Sequence, residues 1–313
     1  MASMTTPGRH FRPNGTPKCP RESACVIGAP LHEHHGIVRS LPNPGAGPDA
    51  LILVRVGLIR FVDAVFRELG QMLMLAANAF RALPLIPRHR RAIAEQLFEI
   101  GNASLFMACL LSFFIGGVLS LQAGPMLVSR GLGSQLGGLV GLSMCRELAP
   151  VMMGILLAGR IGSAMAAELG SMRVAQEIDA LRTMNIRPVP YLLMPRIVAI
   201  TLALPCLVVF SNLVGWIGGA AVASWNMDVS VSWSAYFANL RETLLLRHVL
   251  NGLVKAVLFA VVIGVVSCHH GMATFGGPRG VGRSVTKAVV NCIVIILILD
   301  YVLTRLFLPW DRM

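Results

Sequence analysis

RELAPVMMGILLAGRIGSAMAAELGSMRVAQEIDALRTMNIRPVPYLLMPR, residues 146–196, changes character once, and that change decides how the chain is arranged. Its first half reads as an apolar helix with Gly154, Ala158, Gly162, Ala166 and Gly170 at every fourth position. Small residues at that spacing leave one helix face flat, so a second helix can approach closely in lipid. From Arg173 to Arg187 the chain turns polar and charged, while Val174, Ile178 and Leu181 keep roughly helical spacing. A short amphipathic helix hung between two membrane helices is a docking element rather than a span.

The rest of the chain agrees with a membrane setting. It is 55% hydrophobic and 13% charged, with mean hydropathy +0.69, which excludes an ordinary soluble domain of 313 residues. A net charge of +12 raises nucleic acid as a partner. The Lys and Arg sit between long apolar runs, however, so anionic lipid and the positive-inside rule account for them and no nucleic acid is expected. Cys109, Cys145, Cys206, Cys268 and Cys292 lie in or beside apolar runs, where cysteine acts as a small hydrophobe. Cys19 and Cys25, with His32, His34 and His35, match no standard zinc spacing, and no metal site is expected.

In chain order, residues 1–50 are rich in Pro and Gly and lack the apolar core of a secretory signal, so they read as a disordered cytoplasmic tail. Residues 51–87 mix apolar density with Arg55, Arg60, Asp63, Arg67 and Glu68, the pattern of an interfacial helix. Pro84 and Pro87 end it before a basic cluster at residues 88–91. Five spans follow, at about 100–121, 133–169, 189–224, 249–269 and 285–308, each long enough for a hydrocarbon core that takes about 20 residues. Pro125 and Arg130 mark a short loop after the first span. Pro150 is expected to kink the second, since its ring displaces the carbonyl of Arg146. The fourth carries its own stripe of small residues, Gly252, Ala256, Ala260 and Gly264. HHGMATFGGPRGVGRSVTK, 269–287, reads as a glycine-rich basic loop before the fifth. Trp225, Trp233, Tyr236 and Phe237 suit the headgroup level. Basic residues crowd alternate junctions (Arg88, Arg90 and Arg91; Arg173, Arg182, Arg187 and Arg196; Arg279, Arg283 and Lys287), which puts the N-terminus and the polar insert in the cytoplasm.

Arg146 and Glu147, inside the second span, are the sharpest functional signal. A charge at mid-membrane costs roughly 2.5–3.5 kcal/mol, so the pair needs a partner or a wet cavity unless it snorkels from the end of a kinked helix. With the carbonyl freed by Pro150 they form a polar patch suited to a lipid headgroup or a partner helix. Arg160 follows on nearly the same face, about 21 Å along, and Glu168 sits near the inner end, where an ion pair is expected. Asp300, in LDYVLT at 299–304, reads as a helix-end cap, a pair with Arg305, or a dimer contact. GPRGVGRS at 277–284 has Arg283 where a phosphate-binding loop needs Lys, and it follows a membrane helix rather than a strand, so no ATPase is expected here. No nucleophile–base arrangement is apparent, and an enzyme is not expected.

Collinear with these features are several motifs. RELAPV, AGRIGSAMAAELGSM, QEIDAL, a segment ending in PR, then LPxLxVxxxxVGxxGG (204–219), GGPxGVGxxxTxAVV (276–290) and LDxVLT closely resemble the MlaE/YrbE family, the permease subunits of MCE-type phospholipid ABC transporters. The resemblance covers about residues 95–308. Ala149 replaces the usual Gly, and QEIDAL reverses the commoner Glu-Gln order. It implies an all-α integral membrane protein of five transmembrane helices, an N-terminal elbow helix and a short cytoplasmic coupling helix. It implies a homodimer in a bacterial inner membrane, driven by a cytoplasmic ABC ATPase dimer that holds ATP and Mg, with no cofactor on this chain. A periplasmic MCE-domain hexamer would receive or supply phospholipid and maintain outer-membrane lipid asymmetry. By that analogy residues 172–184 form the coupling helix, with Arg173, Glu177, Asp179, Ala180 and Arg182 as ATPase-contact candidates. Arg146, Glu147, Pro150 and Arg160 are the lipid-cavity candidates, and Gly154, Ala158, Gly162, Gly252, Ala256 and Ala260 the dimer or helix-packing candidates. The alternative is a secondary transporter for a hydrophobic or amphipathic substrate, which should show internal inverted repeats; none is found.

Overall fold

Close approach of small-residue faces organises the bundle. In the computed structural model the described residues are 63, 67, 68, 70–78, 81, 90–186, 188–226 and 229–308, all within one unit, Ile59–Met313. The tail expected at 1–50 lies outside the described residues. Of the interfacial helix expected at 51–87, those that are described are helical, and Met72 packs into the core. Every other element is helical too: among the described residues five helices are long and apolar enough to cross a membrane. They are α1 (Arg90–Ser129), α2 (Gly133–Val174), α4 (Val189–Trp225), α6 (Leu246–Met272) and α7 (Gly277–Phe307). Between them lie the short helices α3 (Glu177–Thr183) and α5 (Trp233–Thr243).

α1 packs along α4 through a stripe that recurs every four residues: Ser104, Ala108, Ser112, Gly116, Ser120 and Gly124, all buried. Ser112 donates to the Ala108 carbonyl at 2.7 Å, which leaves its oxygen to accept from Ser211 of α4. A Cβ on Gly116 would strike the Gly215 carbonyl, and one on Gly218 the Phe113 carbonyl. The two backbones therefore touch, as interhelical packing without a hydrophobic driving force requires. Exposed Phe106, Phe114, Leu297, Ile298, Tyr301 and Leu306 face outward, where a bilayer rather than water is the compatible solvent.

The stripe of α2 is spent in the same way inside the chain. Gly154 faces Phe259 of α6 and Ile296 of α7, Gly162 faces Ser267 and Ile263 of α6, and Ala158 and Ala166 are fully buried. Gly252 of α6 abuts the Cys145 carbonyl and Pro150, with Ala256 and Ala260 buried beyond it. These residues pack helix against helix within one chain.

Two local readings are corrected and two gain detail. α1 runs straight through Pro125 to Ser129, so the loop begins only at Arg130. The segment 269–287 is not a loop: α6 continues to Met272 and α7 begins at Gly277, with residues 273–276 as the turn. Gly276 and Gly277, at φ +88° and +73°, supply the left-handed backbone there, and Pro278 starts the helix with no N–H to leave unpaired. Pro150 follows a π-turn, Met144–Leu148, in which the Ala149 N–H reaches back five residues to the Met144 carbonyl. Widening by one residue is how the helix accommodates the proline ring. Of the aromatics expected at the headgroup level, Tyr236 is fully buried within the protein, whereas Trp225 is 90% exposed. Tyr236 faces inward because α5 lies flat on α2, where Gly137, Gly138 and Gly141 admit it and Asn239 accepts from the Gly138 N–H at 2.8 Å.

Candidate functional site

Lys255 is the only charged residue in the interior of α6, and its side chain is 3% exposed. Its ammonium has three hydrogens and three acceptors. It donates to Glu147 Oε2 at 2.8 Å, Asp300 Oδ1 at 2.9 Å and Thr304 Oγ1 at 2.7 Å. The Thr304 hydroxyl in turn donates to Glu147 Oε1 at 3.0 Å. Three helices far apart in sequence are thus pinned at one point. The cluster sits near the end of the bundle where α6 begins and α7 finishes: Lys255 is nine residues from Leu246, and Thr304 is three from Phe307.

Each partner is delivered by a local feature. The π-turn before Pro150 carries Arg146 and Glu147. LDYVLT places Asp300 and Thr304 four residues apart, hence on one face of α7. The pair expected between Asp300 and Arg305 is replaced: Asp300 turns to Lys255, because a buried ammonium is a far stronger claimant than an exposed guanidinium. A small pocket opens over the cluster, lined by Arg146, Glu147, Asn251, Lys255, Thr304 and Phe307. Glu147 is 40% exposed on that side and Asp300 19%. With Arg146 at the rim the site holds two cations and two carboxylates, so it is close to neutral while offering both signs.

Of the lipid-cavity candidates, Arg146 and Glu147 line this pocket and Pro150 is buried beneath it against Gly252. Arg160 stands apart, exposed on a second π-turn, Ala158–Gly162. Glu168 makes the expected ion pair, with Arg196 of α4 at 2.8 Å. Lys255 and Thr304 are the residues that reading the sequence missed. The signal was there: one lysine inside a 27-residue apolar helix is by default functional or paired.

At the other end of α2 the polar insert forms α3, reached through Gln176 at φ +61° and left through Asn185 at φ +58°. Seven residues do not hold a helix by themselves, and two features compensate. Ile178 is fully buried. Asp179 accepts from Arg173 at 2.6 Å and from Arg182 at 3.3 Å. Three of the five ATPase-contact candidates are therefore engaged with one another, and Glu177, Ala180 and Arg182 are exposed. Among the described residues no group of three or more His, Cys, Asp or Glu is placed to hold a metal; Cys19, Cys25 and His32–His35 lie outside the described residues.

A bundle of five membrane-length helices, with a charge cluster held among three of them and a braced helix projecting between two, is the architecture of a multi-pass membrane protein. Residues 93–306 match the family model for the permease MlaE, and the chain belongs to that family of ABC transporter permeases. It is 38% identical over 255 residues to a probable ABC transporter permease protein of Rickettsia prowazekii, covering 82% of this chain and 96% of that one. It is 31% identical to the intermembrane phospholipid transport system permease protein MlaE of Haemophilus influenzae, over 80% and 98% of the two chains. Similarity to the chloroplastic protein trigalactosyldiacylglycerol 1 of Arabidopsis thaliana is 36% identity over 70% of this chain and 62% of that one. Family membership sets aside the secondary-transporter alternative.

Proposed function

We propose that this chain is the permease of a phospholipid-moving ABC transporter in a bacterial inner membrane, with its N-terminus in the cytoplasm. Two copies form the membrane part, a cytoplasmic ABC ATPase dimer holds ATP and Mg and supplies the work, and a periplasmic MCE-domain hexamer exchanges lipid with it to maintain outer-membrane asymmetry. The name of the Haemophilus relative supports phospholipid as cargo.

The observation that carries this reading is the brace around Asp179. Arg173 ends the long helix that bears Glu147, and Asp179 ties it to α3. A push on α3 is thus transmitted into α2 instead of being absorbed by a slack linker. From Arg173 to Glu147 is 26 residues, about 39 Å of helix at 1.5 Å per residue, interrupted by the two π-turns. Those turns are the places where the helix can bend or rewind as the motor changes state. Exposed Glu177, Ala180 and Arg182, with the half-exposed Asp179, are the surface offered to the ATPase.

Glu177→Lys is expected to abolish lipid transport by the reconstituted complex while leaving size-exclusion behaviour and thermal stability as in the wild type, because Glu177 makes no ion pair among the described residues. Normal transport with normal ATPase coupling in that variant would falsify the docking assignment. Purification in mild detergent should also bring along an ATPase and an MCE protein; their consistent absence would count equally against it.

A further inference from the structure

The first three turns of α7 carry a row of cations whose one use so far is to orient the chain in the membrane. Arg279, Arg283 and Lys287 recur every four residues, so they share one helix face, and all three are exposed. None makes an ion pair among the described residues. With Thr286 and Gly282 they line an open groove, and a Cβ on Gly282 would meet nothing within 4 Å.

Position says what such a groove faces. Immediately after Lys287 the helix is free of charge until Asp300, so Lys287 marks the edge of the hydrocarbon. The row extends eight residues outward from it, about 12 Å, and a headgroup layer is roughly 5–8 Å deep on each side of the bilayer. The cations are stacked along a membrane helix, Lys287 at the hydrocarbon edge, Arg283 within the layer and Arg279 at its outer margin, rather than spread over a flat outer face. Phe275 is 85% exposed at the turn leading into the row, an apolar anchor at the same end. The N-terminal end of α7 adds the positive pole of the helix to the same place.

We infer that Arg279, Arg283 and Lys287 form a binding site for the headgroup of an anionic phospholipid. This lipid is a resident of the leaflet, not cargo. Lys287 is 17 residues from Thr304, so the site stands about 26 Å from the Lys255 cluster along the same helix. Its failure and that of the transport reading are therefore separable.

Native mass spectrometry of the purified full chain, with whatever subunits it retains, reads the occupancy directly after exchange into micelles doped with phosphatidylglycerol or phosphatidylcholine. The wild type should retain phosphatidylglycerol over phosphatidylcholine. The triple variant R279Q/R283Q/K287Q should retain it about a hundredfold less, and each single variant about fivefold less. R241Q, on α5, should behave as the wild type. Surface glutamines leave no buried group unpaired, so unchanged elution and melting are expected throughout. Wild-type retention of phosphatidylglycerol by the triple variant overturns the proposal. So does loss of a co-purifying protein with lipid retention intact, which would make the row a docking face for an acidic protein.

Discussion

Lys255→Met is expected to unfold or severely destabilise the chain, at a cost of about 3–5 kcal/mol. The methionine fills much of the same space, so the effect does not come from a cavity. It comes from Glu147 and Asp300, which meet at a single ammonium at 2.8 and 2.9 Å and would be left as two carboxylates facing one another among three helices. Thr304 would lose one of its two partners as well, keeping its bond to Glu147. Thermal unfolding in detergent, followed by loss of the monodisperse elution peak, measures this. The control is the variant in which all three charges are removed together, K255M/E147Q/D300N. A buried ionic cluster replaced as a whole by neutral groups is often no less stable than the original, so this variant should recover most of the lost stability. It separates the two roles of the cluster. If it folds but moves no lipid, the charges serve the cargo; if it folds and transports at the wild-type rate, they serve only to hold the helices in register. Full stability in the single K255M variant would mean that Lys255 does not sit where three acceptors converge.

Much of the architecture could be read from local pattern, and the missing parts share one cause. The fourfold stripe at 154–170 announces a helix in close contact, and the loss of apolar character at Arg173 announces that a span has ended. Both signals lie within a few turns of the residues they describe. The partners of Glu147 do not: Lys255 is 108 residues away and Thr304 157. Lys255 is also masked by its setting, one position before Ala256 in a stripe that draws attention to Gly252, Ala256 and Ala260. Asp300 was given a neighbour five residues away because only neighbours are visible in one dimension; the fold supplied one 45 residues away. The glycines at 276, 277, 280 and 282 misled in the opposite sense. In water they suggest a loop, but helices of membrane proteins tolerate glycine, and only the first two occupy left-handed backbone. On the motor side, the sequence marks Asp179 as a contact candidate but does not show its bracing role. The arginines six residues before and three after it engage it internally.

Gly116→Val should be the most damaging small change in the chain, and comparison with Gly154 shows why two glycines in similar stripes are not equivalent. A Cβ on Gly154 would meet Phe259 Cδ2 at 3.4 Å and Ile296 at 3.7 Å, both of them tips of side chains that can turn aside. A Cβ on Gly116 would land on the backbone carbonyl of Gly215, which is fixed within α4 by its own helical hydrogen bonds. Nothing short of separating α1 from α4 makes room. That separation also breaks the hydrogen bond between Ser112 and Ser211 one turn away and loosens Gly218 against the Phe113 carbonyl. Overpacking typically costs about 1–3 kcal/mol where side chains can adjust, so Gly154→Ala belongs at the lower end of that range. Gly116→Val, with two further carbons and a backbone obstacle, belongs above it. Side-by-side melting of the two variants gives the ordering. An outcome in which Gly116→Val melts within a degree or two of the wild type, or in which Gly154→Ala is the more harmful, would mean that α1 and α4 are not in backbone contact. The stripe from Ser104 to Gly124 would then have to face lipid or another subunit.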